Sequence, residues 1–201
     1  MPRGGGAFLS RMSMNPIELH YSLKPFPLSE FGSYFTNFSK SAFRLEMLSV
    51  FNVPDEVEPL KSFLAGQSEP PADYNKEWRE IQSSAKAAGK EFSRVRVIDG
   101  LLSNYLKFEI SWAYPGNVAA GEDIRFIIRD EIQPFSTPVP ILKDYWLFDE
   151  SACFLMDYDY RGTFLGVTKL PEEFIKHYID LMNETKKLSI PMNDALKKLG
   201  M

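Results

Sequence analysis

Apolar side chains recur at intervals of three and four residues in several segments of the chain, which is the spacing of one helix face. Phe31, Phe35 and Phe38 share such a face in a segment that Ser29 is placed to cap. Pro171 stands at the start of the last of these segments, where a helix does not need the missing N–H. The predicted helices cover residues 29–38, 55–65, 73–88 and 171–188.

Alternating apolar and polar residues predict short β-strands elsewhere in the chain. The run from Arg94 to Ile98 combines this alternation with β-branched side chains. Three further runs follow one another closely after Pro140 and are separated by turn residues, which indicates antiparallel pairing. The predicted strands cover residues 41–49, 94–98, 124–129, 144–149, 153–159 and 163–167.

The segment from Leu101 to Tyr114 fits both the period of a helix and the period of a strand. Every second residue from Leu106 to Trp112 is apolar, as in a strand, whereas Ser103 is placed to cap a helix that ends before Pro115. We predict the helix. We also predict a connecting loop of small residues over 117–121, whose glycine permits close approach of a ligand.

Together these elements predict a single α+β domain with helices packed on an antiparallel or mixed sheet of about five or six strands. A chain of 201 residues with 44% hydrophobic and 14% aromatic residues is long and apolar enough to bury a core. We assign residues 28–201 to this domain. Residues 1–27, which are interrupted by prolines, are predicted to form a flexible or loosely ordered N-terminal extension.

Composition excludes several classes of protein. The single cysteine, Cys153, rules out an internal disulfide or a cysteine-rich zinc site and fits a small buried side chain in a reducing compartment. No apolar run approaches the ~20 residues of a transmembrane helix. The net charge of −4 disfavours direct binding to nucleic acid. We therefore expect a cytoplasmic protein that contacts neither membrane nor nucleic acid directly, and we predict no cofactor.

Five sequence blocks occur in order between about residues 30 and 168. They are SAFRLE at 41–46, FLAG at 63–66, RVRV at 94–97, NVAAGEDIR at 117–125, and DYWLFD at 144–149 with YD at 158–159. With these blocks the chain resembles an actinobacterial domain-of-unknown-function family, which has no catalytic motif to transfer. Members of that family are often encoded near helix-turn-helix regulators. The resemblance therefore implies a regulatory or protein-interaction role, with such a transcription factor as partner.

One candidate site is a set of arginines at polar positions of the predicted strands. If those strands share a sheet, the guanidinium groups converge on one face, where their forked geometry suits phosphate or carboxylate groups. This predicts an alternative function, the binding of a small anionic ligand. The competing interpretation is cross-strand ion pairing with Glu46, Glu122 and neighbouring acids. The set comprises Arg44, Arg94, Arg96, Arg125 and Arg129.

A second candidate is the pair Asp157 and Asp159, whose spacing projects two carboxylates from one side of a strand. Such a pair can hold Mg²⁺ for phosphoryl transfer, but no phosphate-binding loop accompanies it, and solvated turn residues are the competing interpretation. No catalytic residue emerges, so an enzymatic role is left open.

A third candidate is the aromatic hairpin that contains Tyr145, Trp146 and Phe148. Large side chains on both of its faces require a cover. If no helix of this chain supplies that cover, we expect these residues to bind a protein partner.

Overall fold

The structure is a computed structural model, and it describes residues 22–131 and 133–201. Its centre is a sheet whose strands are β1 (Pro25–Phe26), β2 (Ser41–Glu46), β3 (Glu91–Ile98), β4 (Glu122–Ile128), β5 (Tyr145–Phe148), β6 (Ala152–Tyr158), β7 (Phe164–Lys169) and β8 (Ile190–Pro191). They lie in the order β1-β7-β6-β5-β2-β3-β4-β8. The sheet is mixed, because β3 pairs in parallel with both β2 and β4 while the remaining pairs are antiparallel.

Helices form the crossovers between the parallel strands and cover both sheet faces. They are α1 (Leu28–Asn37), α2 (Val57–Leu64), α3 (Lys76–Ala87), α4 (Asn104–Phe108), α5 (Tyr114–Ala120), α6 (Glu172–Leu188) and α7 (Met192–Lys198). A 3₁₀ turn (Pro54–Glu56) precedes α2, and a π-helical turn (Glu109–Ala113) joins α4 to α5. In the part of the chain that the structure describes, no helix is both long and apolar enough to cross a membrane.

The α+β class and the mixed sheet confirm the prediction, but the sheet has eight strands rather than five or six. The two additional strands, β1 and β8, lie at the sheet edges and are two residues long. They are too short to show an alternation of apolar and polar residues in the sequence. β1 falls within the predicted extension, where Phe26 pairs with Val167 of β7. Residues 1–21, the rest of that extension, lie outside the described residues.

The segment after β3 is helical, as predicted, and Ser103 caps α4 by accepting a hydrogen bond from the Leu106 N–H at 3.0 Å. The helix does not end before Pro115, however. It continues through the π-helical turn into α5, because Pro115 occupies the first turn of α5, where a helix needs no N–H. The predicted loop at 117–121 is therefore the end of α5, and Gly121 terminates that helix with a φ of 115°.

The two faces of the sheet carry different residues, because successive side chains of a strand alternate between faces. On the face that we call apolar, Phe43, Leu45 and Val95 pack beneath α6. On the opposite face, which we call ionic, the strands present arginine and glutamate side chains beneath segments that include α1, α3 and α5. The ionic face holds the candidate site.

Candidate functional site

Strand register brings arginines and a glutamate of β2 and β3 together on the ionic face. Arg44 lies opposite Arg94, and Glu46 lies opposite Arg96. The Glu46 carboxylate accepts contacts from all three guanidinium groups, at 2.7 Å from Arg44, 2.8 Å from Arg94 and 3.5 Å from Arg96. Glu46 is therefore the central anion of the cluster.

Two more glutamates complete this cluster from neighbouring elements. Glu122, at the start of β4, accepts a hydrogen bond from Arg94 Nε at 2.8 Å and another from Gln82 of α3 at 2.7 Å. Glu109, the first residue of the π-helical turn, lies 3.3 Å from Arg96. We call the whole set the ionic network; it comprises Arg44, Arg94, Arg96, Glu46, Glu109 and Glu122.

Arg96 is fully buried, yet its environment does not satisfy its hydrogen-bonding groups. Its contacts with Glu46 and Glu109 are ion pairs at 3.5 and 3.3 Å, and none of its three guanidinium nitrogens has a hydrogen-bond partner within residues 22–131 and 133–201. Its guanidinium carbon lies 4.9 Å from the centre of the Phe51 ring. Buried donors without partners are costly, so this side of the network is suited to additional polar groups.

Three buried carboxyl groups have different pKa values, because burial and nearby charge act on them in different proportions. Burial raises the pKa of Glu46, but the three guanidinium groups around it outweigh burial and lower the pKa to about 2. Burial raises the pKa of Glu109 to about 7, since the attraction of Arg96 offsets only part of the desolvation. Burial and repulsion by Glu46 likewise raise the pKa of Asp144 to about 6. The site thus combines one firmly ionised carboxylate with two carboxyl groups that titrate near neutrality.

A cavity of about 410 Å³ lies over the ionic network. Arg44, Glu46, Arg94 and Glu109 belong to its lining, and so do nine aromatic residues. Two lining residues carry buried polar atoms with no partner among the described residues, namely Arg44 Nε and Asn117 Oδ1. The aromatic residues of the lining are Phe31, Phe35, Phe51, Trp78, Tyr105, Tyr114, Trp146, Tyr158 and Phe164.

Glu56 and Tyr105 form a second polar element in the cavity wall. The Tyr105 hydroxyl donates a hydrogen bond to the Glu56 carboxylate. Burial is the main cause of a raised pKa of Glu56. The cavity therefore offers planar rings, hydrogen-bond donors and acceptors, and more than one carboxyl group to a small molecule.

The family model described as "Domain of unknown function (DUF6879)" matches residues 29–196. The chain belongs to the DUF6879 family. The match spans every residue of the ionic network and of the cavity lining, and its description assigns no function. No curated protein matches the chain. Among solved structures, a phospholipase D family member, Nuc from Salmonella typhimurium, is similar with a TM-score of 0.46 and 8% identity, over 79% of this chain and 86% of that chain.

Within this DUF6879 domain, three of the five predicted arginines converge and two do not. Arg44, Arg94 and Arg96 lie in the ionic network, where the predicted cross-strand pairing with Glu46 and Glu122 is present. Arg125 pairs in register with Val95, so its side chain belongs to the apolar face, where it donates hydrogen bonds to Ser189 at 2.8 and 2.9 Å. Arg129 follows β4 in a 3₁₀ turn and stacks on Phe135 at 4.7 Å.

The predicted aromatic interaction surface is buried. Tyr145, Trp146 and Phe148 are at most 2% exposed. On the apolar face, Tyr145 packs on Tyr178 of α6 with ring centres 5.1 Å apart. On the ionic face, Phe35 of α1 lies 4.9 Å from Trp146 and 5.2 Å from Phe148. Helices of this chain therefore supply the cover that the hairpin requires, and these three residues are not available to a partner.

The two aspartates considered for metal binding have separate structural roles. Asp157 pairs with Lys143 at 2.8 Å and accepts a hydrogen bond from the Thr168 hydroxyl at 2.9 Å. Asp159 lies beyond the end of β6, where its carboxylate accepts backbone N–H groups in a turn. Across residues 22–131 and 133–201, no group of three or more histidine, cysteine, aspartate or glutamate side chains is arranged to hold a metal ion.

The sequence did not indicate Glu109 or Glu56 as site residues, and it placed Asn117 in a candidate loop at 117–121 that the structure shows as the end of α5. Glu109 alternates with apolar residues between Leu106 and Trp112, as Lys107 and Ser111 do, so nothing in the sequence distinguishes it from an exposed polar residue. Glu56 also has no local signal, and only the packing of the crossover segments on the sheet brings Glu56, Glu109 and Asn117 to one cavity.

Proposed function

We propose that this DUF6879 domain binds a small, ring-bearing polar molecule in the cavity over the ionic network. The observation that carries the proposal is the presence of buried polar atoms without protein partners in the lining of a cavity walled by aromatic rings. A volume of about 410 Å³ lies within the usual range for ligand sites. Flat aromatic walls favour a planar ligand, and the few polar groups favour one that forms hydrogen bonds at its edge.

Stability alone does not account for the ionic network. Burying ions removes their hydration, and the attraction between them offsets that loss only in part, so an apolar core of the same volume is often at least as stable. The apolar face of the same sheet is built in that way. A network of buried ions beside a cavity therefore supports a role in recognition.

The charge of the network supports a neutral or cationic ligand over the anionic ligand predicted from the arginines. Arg94 is held between Glu46 and Glu122, and Arg44 is paired with Glu46. Because these guanidinium groups are already neutralised, an incoming anion gains little from them. It also meets repulsion from Glu56, and from Glu109 wherever that carboxyl group is ionised.

Ligand-observed NMR with three uncharged ring compounds (benzamide, indole and adenosine) tests the proposal. We expect saturation transfer from the protein to at least one of them. Ala113→Leu, which extends a side chain of the cavity lining, should weaken that binding by about tenfold or more, because it occupies ligand volume. Ala119→Leu on the exposed side of α5 is the matched control and should bind as the unaltered protein does. Equal binding by both variants would contradict the proposed location.

The regulatory role with a helix-turn-helix partner is our second proposal, and exposed apolar side chains at the cavity mouth support it. Val53 and Phe164 belong to the lining and are 38% and 39% exposed, and the neighbouring Leu165 is 66% exposed. We expect Leu165→Ser to abolish co-purification of a helix-turn-helix regulator from the native host. Leu64→Ser, at a position that is 53% exposed on α2, should leave it intact. A regulator retained by Leu165→Ser would contradict this role for the cavity mouth.

A further inference from the structure

We propose that the ligand carries a cationic nitrogen group, such as an amidinium or guanidinium, which pairs with Glu109, and that its binding displaces a proton from the Glu109 carboxyl group. This inference rests on the proposed function, because it assumes that the cavity is the binding site. It goes further by naming the chemical class of the ligand and the residue that selects it.

The backbone places Glu109 at the cavity by an irregular turn. Glu109 begins the π-helical turn, and the N–H of Tyr114 donates to the Glu109 carbonyl across five residues. The extra residue in this turn lets Glu109, Ala113 and Tyr114 all belong to the cavity lining. π-Helical turns are rare and occur frequently at functional sites, since they redirect side chains that a regular helix would turn away.

Carboxyl groups outnumber guanidinium groups around the cavity, so the site can neutralise one more cation. The ionic network and its surroundings contain three guanidinium groups and five carboxyl groups. The guanidinium groups of Arg44 and Arg94 contact Glu46 or Glu122 at 2.7 to 2.8 Å. Among the described residues, the one guanidinium contact of Glu109 is the longer one with Arg96, at 3.3 Å, and the Tyr114 hydroxyl donates a long hydrogen bond to Glu109 at 3.4 Å. The five carboxyl groups are those of Glu46, Glu56, Glu109, Glu122 and Asp144.

Aromatic rings in the lining provide the other half of a cation site. Tyr105 and Trp78 line the same cavity as Glu109, and a third lining ring, Tyr114, already faces the Arg94 guanidinium carbon at 5.3 Å. The negative face of such a ring attracts a planar cation, and the attraction is stronger when the site excludes water. Carboxylate and aromatic faces together therefore select a flat nitrogen cation over a neutral ring of the same shape.

In the free protein, protonation neutralises the Glu109 carboxyl group, as a bound cation would do in the complex. The titratable and charged groups that face Glu109 are Arg94 and Arg96 from β3, Glu46 from β2, Glu56 from the 3₁₀ turn, Tyr105 from α4, Tyr114 from α5, and Tyr74 from the segment before α3. Burial and the two neighbouring glutamates keep its pKa near 7 despite the arginines. When a cation arrives, it stabilises the ionised carboxylate, and the proton leaves to solvent.

Benzamidine and benzamide test the inference, because they have the same shape and differ in charge. NMR titrations of the full chain should give a benzamidine affinity that rises about tenfold per pH unit below pH 7 and levels off above it, as expected for release of one proton. The benzamide affinity should change by less than about twofold over the same range. Glu109→Gln should remove the pH dependence and the preference for benzamidine while benzamide still binds. Asp144→Asn, which removes the other carboxyl group that titrates near neutrality, should retain both properties.

A direct measurement keeps the test decisive if Glu109→Gln fails to fold. In protein labelled with ¹³C at the glutamate side-chain carboxyl carbons, one carboxyl signal should titrate near pH 7 and move to the ionised position at pH 6 when benzamidine, but not benzamide, is added. Equal affinities and equal pH dependence for the two probes would overturn the inference and leave the binding site intact. Absence of binding by either probe, together with no binding of indole or adenosine, would overturn the proposed function as well.

Discussion

Phe43 and Leu45 point to one side of β2 while Arg44 and Glu46 point to the other, and these neighbours in sequence lie in opposite environments. On the apolar face, one continuous 17-residue helix, α6, closes over aliphatic and aromatic side chains. On the ionic face, shorter helices and a π-helical turn surround paired ions and a cavity. Because both faces are buried, the difference between them is one of chemistry and closure rather than of exposure. Under our proposal, the apolar face serves packing alone, whereas the ionic face combines packing with ligand recognition.

The largest effect should come from breaking the ionic network at its centre. Glu46→Gln removes the charge that three guanidinium groups share, and it leaves those groups buried with too few anions. We expect the free energy of unfolding to fall by about 3–5 kcal/mol. Urea denaturation followed by tryptophan fluorescence measures this change. Glu58→Gln, at an exposed position of α2, is the control, and a loss below about 1 kcal/mol for Glu46→Gln would show that the network is not electrostatically critical.

Truncating a side chain on the apolar face should lower the free energy of unfolding without weakening ligand binding. Leu45 is fully buried, so Leu45→Ala should cost about 2–5 kcal/mol of unfolding free energy through lost burial and a residual cavity. Affinity for the uncharged ring probes should stay within about twofold under conditions where the variant is folded, because the substitution lies on the face opposite the cavity. A large loss of affinity in the folded variant would remove the proposed division between the two faces.

Between pH 5 and pH 8, the pH dependence of stability should come mainly from the ionic face. The folded-state pKa of Glu109 is about 7 and exceeds the unfolded value near 4.5. The stability that the protonated Glu109 carboxyl group contributes is therefore fully present below pH 4.5 and is lost as pH rises through 7. Relative to the unaltered protein, Glu109→Gln should therefore become more stable by about 1–3 kcal/mol between pH 5 and pH 8. Urea denaturation at both pH values measures the difference. Asp144 titrates in both proteins, so its effect cancels in the difference between their unfolding free energies. A difference that stays constant from pH 5 to pH 8 would contradict the raised pKa of Glu109.

The smallest effect should come from the same ion-pair chemistry at the surface. Lys176 and Asp180 form a pair on the exposed side of α6, with nitrogen and oxygen 2.8 Å apart. Asp180→Asn should change the unfolding free energy by no more than about 0.5 kcal/mol, because water screens an exposed pair. A loss comparable to that of Glu46→Gln, measured in the same urea experiments, would mean that burial is not what gives the ionic network its importance.

Most elements of the fold were predictable because their signals are local. The Pro54 and Gly66 signals that bracket α2, and the apolar stripe of α6, depend only on residues within the element itself. The end of the helix at Pro115 was predicted wrongly. A proline before a glycine usually ends a helix, but Pro115 lies in the first turn of α5, where a helix needs no N–H, and the segment stays helical to Ala120.

The candidate site was predictable only in part. The alternation in β2 and β3 correctly indicated that Arg44, Arg94 and Arg96 share a face. It also suggested that Arg125 joins them. The parity of one strand relative to its neighbour depends on register, and a shift of one residue reverses every side chain, so Arg125 lies on the apolar face.

By itself, the sequence determined the helices, the longer strands and the alternation of charged and apolar positions, because each follows from the geometry of a few consecutive residues. Tertiary structure alone decided that β5 and β2 are neighbours, that helices bury the aromatic hairpin on both faces, and that Glu109 pairs with Arg96. These features depend on contacts between distant segments, whose free energies are set by packing of the whole chain rather than by local propensity.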